Sequence, residues 1–191
     1  MVARRLRLRA GVDTFLTESG IVTGEGRLKQ AFTRFPVVSL GAEHLAMGHL
    51  LRRNVLTCKA PPNNEGYDLI CIHPGPRRRG RQIRVQMKSR LATDSDRGFP
   101  VKLASLDAFD DLIVVFLNVG HFFRKAKRHS REGARDPESY TFPASYIREH
   151  HDRTSSWEKV MTRGLNIERY RSHDGFEQIA TALRIEYPSK K

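Results

Sequence analysis

Cysteine is scarce. Cys58 and Cys71 are the only two in 191 residues and form no C-x-x-C pair, so neither a disulfide framework nor a zinc finger can be built from them. They are expected to be two buried thiols on neighbouring strands of a reduced cytoplasmic protein. Long apolar runs are missing as well. No stretch reaches about eighteen apolar residues, which excludes a membrane-spanning helix. The Arg-rich opening "MVARRLRLRAG" is followed by no apolar h-region and so does not read as a secretory signal, while Asp13, Glu18 and Glu25 spoil the acid-poor pattern of a transit peptide. No G-x-x-x-x-G-K-[ST] loop occurs, which argues against a P-loop NTPase. The eight histidines include no pair at i, i+4, the spacing of a zinc helix.

Acids are in the minority. Asp plus Glu total 21 against 34 Lys plus Arg, a formal net charge of +13. Such a field favours polyanions, and nucleic acid is the usual one. A basic protein-interaction domain of ribosomal or structural type explains the charge equally well. The length suits one domain of ordinary size with room for a core.

Residues 1–35 read as a basic, then Gly-rich, irregular arm, and residues 36–191 as the ordered domain. In "FPVVSLGAEHLAMGHLLRRN", Pro36 breaks what precedes it. Ser39 is a candidate N-cap, and Leu40, Met47, Leu50 and Leu51 form a helical stripe. Arg52 and Arg53 suit the negative end of the helix dipole, and Asn54 its stop.

Three strands are expected next, over 54–60, 67–74 and 81–90, the last two as a hairpin around "GPRRRG". Leu103, Leu106 and Phe109 recur at helical spacing in 99–111. "LIVVFLNVG" (112–120) reads as a strand buried on both faces. Residues 121–139 read as a long basic loop. A short strand at 140–142 and helices over 144–152 and 173–185 complete an α/β domain with a central mixed sheet flanked by helices.

The stretch "IRVQMKSR" carries the chemistry. Alternation puts Ile83, Val85 and Met87 on one face, and Gln86 and Lys88 on the other. Asp68 begins the preceding strand of the hairpin, so an acid, an amide and a lysine are expected to crowd one patch. Glu43 on the first helix is the obvious further carboxylate. Hard divalent cations such as Mg2+ take a few oxygen ligands, which Asp68, Glu43, the Gln86 amide and the Met87 carbonyl could supply. Lys88 could orient or deprotonate the attacking water and offset charge on phosphorus. "PGPRRRGRQIRVQMKSR" holds seven cations and no acid. Its Arg77, Arg78, Arg79, Arg81, Arg84 and Arg90 are expected to contact a phosphate backbone.

"GAEHL", "GYD" and "VQMKS", in that order around a basic hairpin, resemble the PD-(D/E)XK nuclease superfamily, and within it the branch in which Q-x-K replaces (D/E)-x-K. That branch includes a homing endonuclease of a group I intron. The resemblance covers roughly residues 39–145, with Tyr67 standing where the family often has proline. It implies a restriction endonuclease-like core and a Mg2+-dependent DNA endonuclease, with Mn2+ as a substitute ion. It implies further that Asp68 is the metal-binding acid, Glu43 the helix-borne ligand, Gln86 the stand-in for the second acid and Lys88 the catalytic lysine. One active site per chain implies a homodimer or larger homo-oligomer for double-strand cutting. The alternatives are a catalytically inactive nucleic-acid-binding module of the same fold, and an HNH-type site centred on His121. Each residue also has a bland reading: Asp68 as a turn residue, Glu43 as a first-turn helix acid, Gln86 and Lys88 as a solvated strand face.

Overall fold

The computed structural model describes residues 15–17, 20–22, 36–62, 64, 66–75, 81–93, 98–122, 129–152, 158–162 and 164–186. The chain divides into two compact units, Met1–Phe35 and Pro36–Lys191. In the first, strand β1 (Phe15–Thr17) pairs antiparallel with β2 (Gly20–Val22), Phe15 opposite Val22. The reading of an irregular arm missed this hairpin, whose β-prone Phe15, Thr17, Ile21 and Val22 flank a two-residue connection.

The second unit opens with helix α1 (Pro36–Leu51), followed by strands β3 (Leu56–Lys59), β4 (Leu69–Ile72), β5 (Ile83–Ala92), β6 (Gly98–Pro100) and β7 (Asp111–His121). Then come β8 (His129–Ala134), β9 (Glu138–Pro143), helix α2 (Ala144–Glu149), β10 (His151–Asp152), β11 (Lys159–Met161) and helix α3 (Ser172–Ala182). The main sheet runs β3-β4-β5-β7, and both β8 and β9 pair with the far side of β7. Only β5 and β7 are parallel; the other pairings are antiparallel, which makes the sheet mixed. Helices flank it, so the architecture is α/β with a mixed central sheet.

Alternation along the strands builds two cores. Ile83, Val85 and Met87 of β5 join Leu69, Cys71, Ile113 and Val115 under α1 and α3. Leu112, Val114 and Phe116 point the other way, into an aromatic layer with Phe99, Tyr140, Phe142, Tyr146 and Tyr170. Strand β7 is therefore buried on both faces, as its unbroken apolar run requires.

Helix α1 differs from its expected form in two respects. Pro36 occupies the first helical position, where its fixed φ is favourable and its missing N–H costs nothing, so Ser39 lies inside the helix and is no N-cap. The buried stripe is Ala42, Ala46 and Leu50, while Leu40 and Leu51 are exposed. The small alanines allow close approach to the sheet. The C-terminal end behaves as expected: Asn54 takes φ +59°, and Arg53 Nη1 donates to the His49 carbonyl at 2.8 Å.

Elsewhere the expected helix over 99–111 is only β6 and a 3-10 turn, Leu103–Ser105. Residues at i, i+3 also align in a 3-10 turn, and Pro100 suits an edge strand. Part of the expected 121–139 loop is strand β8, and β6, β10 and β11 form a second small sheet around fully buried Val160. Cys71 is buried, and its burial pushes the thiol up to about 12, but Cys58 is exposed. Adjacent residues on paired strands cannot all face the core: Cys71 lies opposite Thr57, and Cys58 is turned the other way.

Gly66, just before Asp68, has φ +107°, and a Cβ there would lie 2.3 Å from the Ala108 Cβ. Gly66→Ala is therefore expected to cost about 3 kcal/mol, combining left-handed strain with overpacking. Urea unfolding would measure it, and a variant as stable as wild type would contradict the geometry.

Candidate active site

Asp68 sits at a bend one residue before β4 and is clamped on both sides. Its N–H donates to the Val85 carbonyl at 2.8 Å, and its carbonyl accepts the Ala60 N–H at 2.8 Å. Asn64 Nδ2 pins the preceding Tyr67 carbonyl at 2.7 Å. The β4–β5 register, with Leu69 opposite Val85, then brings the Asp68 side chain against Gln86 and Met87. Asp68 Oδ2 accepts from Gln86 Nε2 at 2.6 Å and from the Met87 N–H at 2.6 Å. The N–H of Met87, left without a strand partner where β4 ends, is thus satisfied by a carboxylate. Two donors on one oxygen fix the carboxyl group and leave Oδ1 directed elsewhere.

This carboxylate is desolvated and electrostatically coupled to its surroundings. Burial raises the Asp68 carboxyl above its ordinary range, opposed by the Met87 N–H. The Glu43 charge adds to the rise, while Lys88 and the Gln86 amide oppose it. The four residues picked from the sequence are therefore one interacting cluster. Gln86 and Lys88 are half-buried, neither a solvated face nor a core. The Lys88 side chain makes no hydrogen bond or ion pair among the described residues. The reading of Glu43 as a first-turn acid does not survive, because α1 starts at Pro36 and Glu43 is at the end of its second turn. Its direct partner is Lys59, whose Nζ lies 2.7 Å from Glu43 Oε2. Lys59 escaped the sequence reading, although in sequence it directly precedes the turn-rich "APPNNEG" that leads into Asp68.

The arginines divide. Arg77, Arg78 and Arg79 lie outside the described residues. Arg81 is exposed, and its charge acts on the Asp111 carboxyl. Arg84 and Arg90, expected at a phosphate backbone, are engaged internally. Arg84 Nε lies 3.3 Å from Asp110 Oδ2, which also accepts the Arg84 N–H at 2.8 Å. Arg90 donates from Nε and Nη2 to the Gly98 carbonyl and lies over the Phe99 ring at 5.9 Å. Both braces hold β5 to its neighbours, a role that a cation-rich sequence hides. Among the described residues no group of three or more His, Cys, Asp or Glu side chains gathers as a metal site, around His121 or around Asp68.

The donor set is nonetheless hard and oxygen-rich. One fixed, desolvated carboxylate, a second carboxylate nearby, an amide and a backbone carbonyl fit a small divalent cation that keeps part of its water shell. They do not fit a soft or nitrogen-preferring metal.

A second acidic feature lies where β7 begins. Burial, with the Asp110 charge adding to it and Arg81 opposing, pushes the Asp111 carboxyl up to about 7. A raised carboxyl contributes stability that is fully present below its ordinary 3.8 and is lost as pH climbs through about 7. Asp111→Asn mimics the neutral form. The variant should melt on the order of 10 °C above wild type at pH 8, a difference that shrinks as pH falls and closes near the carboxyl's ordinary 3.8. A difference independent of pH would contradict this assignment.

No family model and no curated protein matches this chain. Among solved structures, that of a bacterial homing endonuclease, I-Ssp6803I, is similar in fold. The two share 14% sequence identity at a TM-score of 0.45, over 78% of this chain and 94% of the other. No helix among the described residues is long and apolar enough to cross a membrane. What the site can do therefore follows from its own side chains.

Proposed function

We propose that this chain is a divalent cation-dependent DNA endonuclease of the PD-(D/E)XK type in its Q-x-K form, using Mg2+ with Mn2+ as a substitute. The observation that carries this reading is the Asp68 carboxylate, locked by the Gln86 amide and the Met87 N–H, with Lys88 two residues further along the same strand face.

Asp68, Glu43, the Gln86 amide oxygen and the Met87 carbonyl would hold the cation. Bound there, it would supply Lewis-acid stabilisation of charge on a phosphodiester. The chain's own residues do the rest. Asp68 is positioned before substrate arrives, so no ordering cost falls on the reaction. Gln86 restrains Asp68 without adding a negative charge that would repel phosphate. Lys88, half-buried and unpaired among the described residues, can orient an attacking water, take its proton or balance the charge developing on phosphorus. Arg81 and the net charge of +13 favour a polyanionic partner. Cutting both strands of a duplex would take two copies of the chain.

One observation favours the inactive binding module instead. Glu43 is committed to Lys59, and Gln86 stands where a second acid would be, so Asp68 is the one carboxylate of the cluster with no cationic side chain on it. The test is incubation of supercoiled plasmid and branched DNA with Mg2+, Mn2+ or a chelator. The nuclease yields nicked or linear product that the chelator abolishes. Binding without cutting, indifferent to metal, would establish the module.

A further inference from the structure

The cluster contains a fifth charged group that the endonuclease reading does not use. Lys59 ends β3 opposite Leu69, one residue before Ala60, whose N–H binds the Asp68 carbonyl. Its ammonium lies 2.7 Å from Glu43 Oε2; the Glu43 side chain is 15% exposed and that of Lys59 46%. We propose that Lys59 is a tethered cation that occupies Glu43 in the metal-free protein and competes with a divalent cation for it. This rests on the endonuclease reading above.

The geometry suits a replaceable counter-ion. Glu43 belongs to the oxygen set proposed for the cation, and the carboxylate oxygen that the Lys59 ammonium holds at 2.7 Å is not open to a second cation. Lys59 supplies one positive charge from the neighbouring strand. An ammonium on a flexible four-carbon stem is a point charge that can leave, and nearly half of this side chain already meets solvent. The Arg84–Asp110 pair is built differently. There the same carboxylate oxygen also accepts the Arg84 backbone N–H, which locks the pair in place. The Glu43–Lys59 contact has only the ion pair among the described residues. Arrival of a divalent cation therefore costs one ion pair, and frees Lys59 at the rim of the site.

A purely structural salt bridge predicts the opposite sign. If Lys59 only aims Glu43, removing it scatters the carboxylate and weakens cation binding. If it competes, removing it strengthens binding. The experiment is calorimetric titration of the full chain with Mn2+ in the absence of DNA, comparing wild type with Lys59→Met and Lys59→Gln, and with Asp68→Asn as the blank. The lysine variants are expected to bind Mn2+ on the order of tenfold more tightly than wild type. Asp68→Asn should lose binding. Metal-free melting should fall by a few degrees at most in both lysine variants, since Lys59 is half exposed, and the Gln variant repeats the loss of charge with a polar side chain. Equal or weaker Mn2+ binding by both, with wild-type binding intact, overturns the role of Lys59 and leaves the endonuclease reading standing. Absence of Mn2+ binding in wild type and in both lysine variants overturns both.

Discussion

Asp68→Asn is expected to reduce divalent cation-dependent cleavage by on the order of 10³-fold, the scale of losing a central electrostatic group. The same change should leave the fold at least as stable as wild type. An asparagine carbonyl in the place of Oδ2 can still accept both the Gln86 amide and the Met87 N–H, so the clamp survives. What disappears is the charge. That charge is held against desolvation, since burial raises the Asp68 carboxyl. A raised carboxyl contributes stability below its ordinary range that is lost as pH rises through its folded value, so a neutral side chain relieves the cost at neutral and higher pH. Melting at pH 8 should therefore be level or higher in the variant, while cutting is gone. A variant that unfolds early would mean that Asp68 is a structural turn residue and that its lost activity reports misfolding.

Lys88→Ala is the second large effect. Cleavage should fall by about 10²- to 10⁴-fold, the range for removal of a group that handles a proton in the transition state. DNA affinity should fall little, because one cation among many changes the salt dependence of binding by about one unit of slope at most. Lys88 projects from β5 beside the clamp, and no side-chain hydrogen bond or ion pair among the described residues would be broken, so stability should change little. Cleavage and binding measured on the same preparations separate the two readings. A parallel loss of both would make Lys88 a phosphate contact and no more.

The legible part of this molecule was the part written in alternation. Ile83, Val85 and Met87 went inward and Gln86 and Lys88 stayed off the core, because a strand has only two faces and one of them lies under α1 and α3. The hairpin order of "GYD" and "VQMKS" then fixed which side chains could meet. The register itself was not legible. It depends on the bend at Asp68, where the N–H and carbonyl bond to different strands, a geometry that no periodicity records.

Charge was the least legible feature. Arg84 and Arg90 looked like part of a continuous basic ribbon, yet their partners are Asp110 and the Gly98 carbonyl, 26 and 8 residues away in sequence. Lys59 and Glu43 meet for the same reason: β3 is a strand of the sheet on which α1 packs, and only the fold brings them together. The helix expected over 99–111 failed because Leu106 and Phe109 are core residues at a helical spacing without a helix between them. Tertiary burial placed them, and local propensity did not.

The most direct measurement is cleavage of supercoiled plasmid and of branched DNA in Mg2+ or Mn2+ by wild type, Asp68→Asn and Lys88→Ala, with binding to the same DNA followed alongside. The site described above predicts nicking or linearisation by wild type that requires the metal, and that both variants lose while they still bind. No cutting of any substrate by wild type, with tight binding indifferent to metal and to both substitutions, would contradict it and leave the clamp around Asp68 as architecture alone.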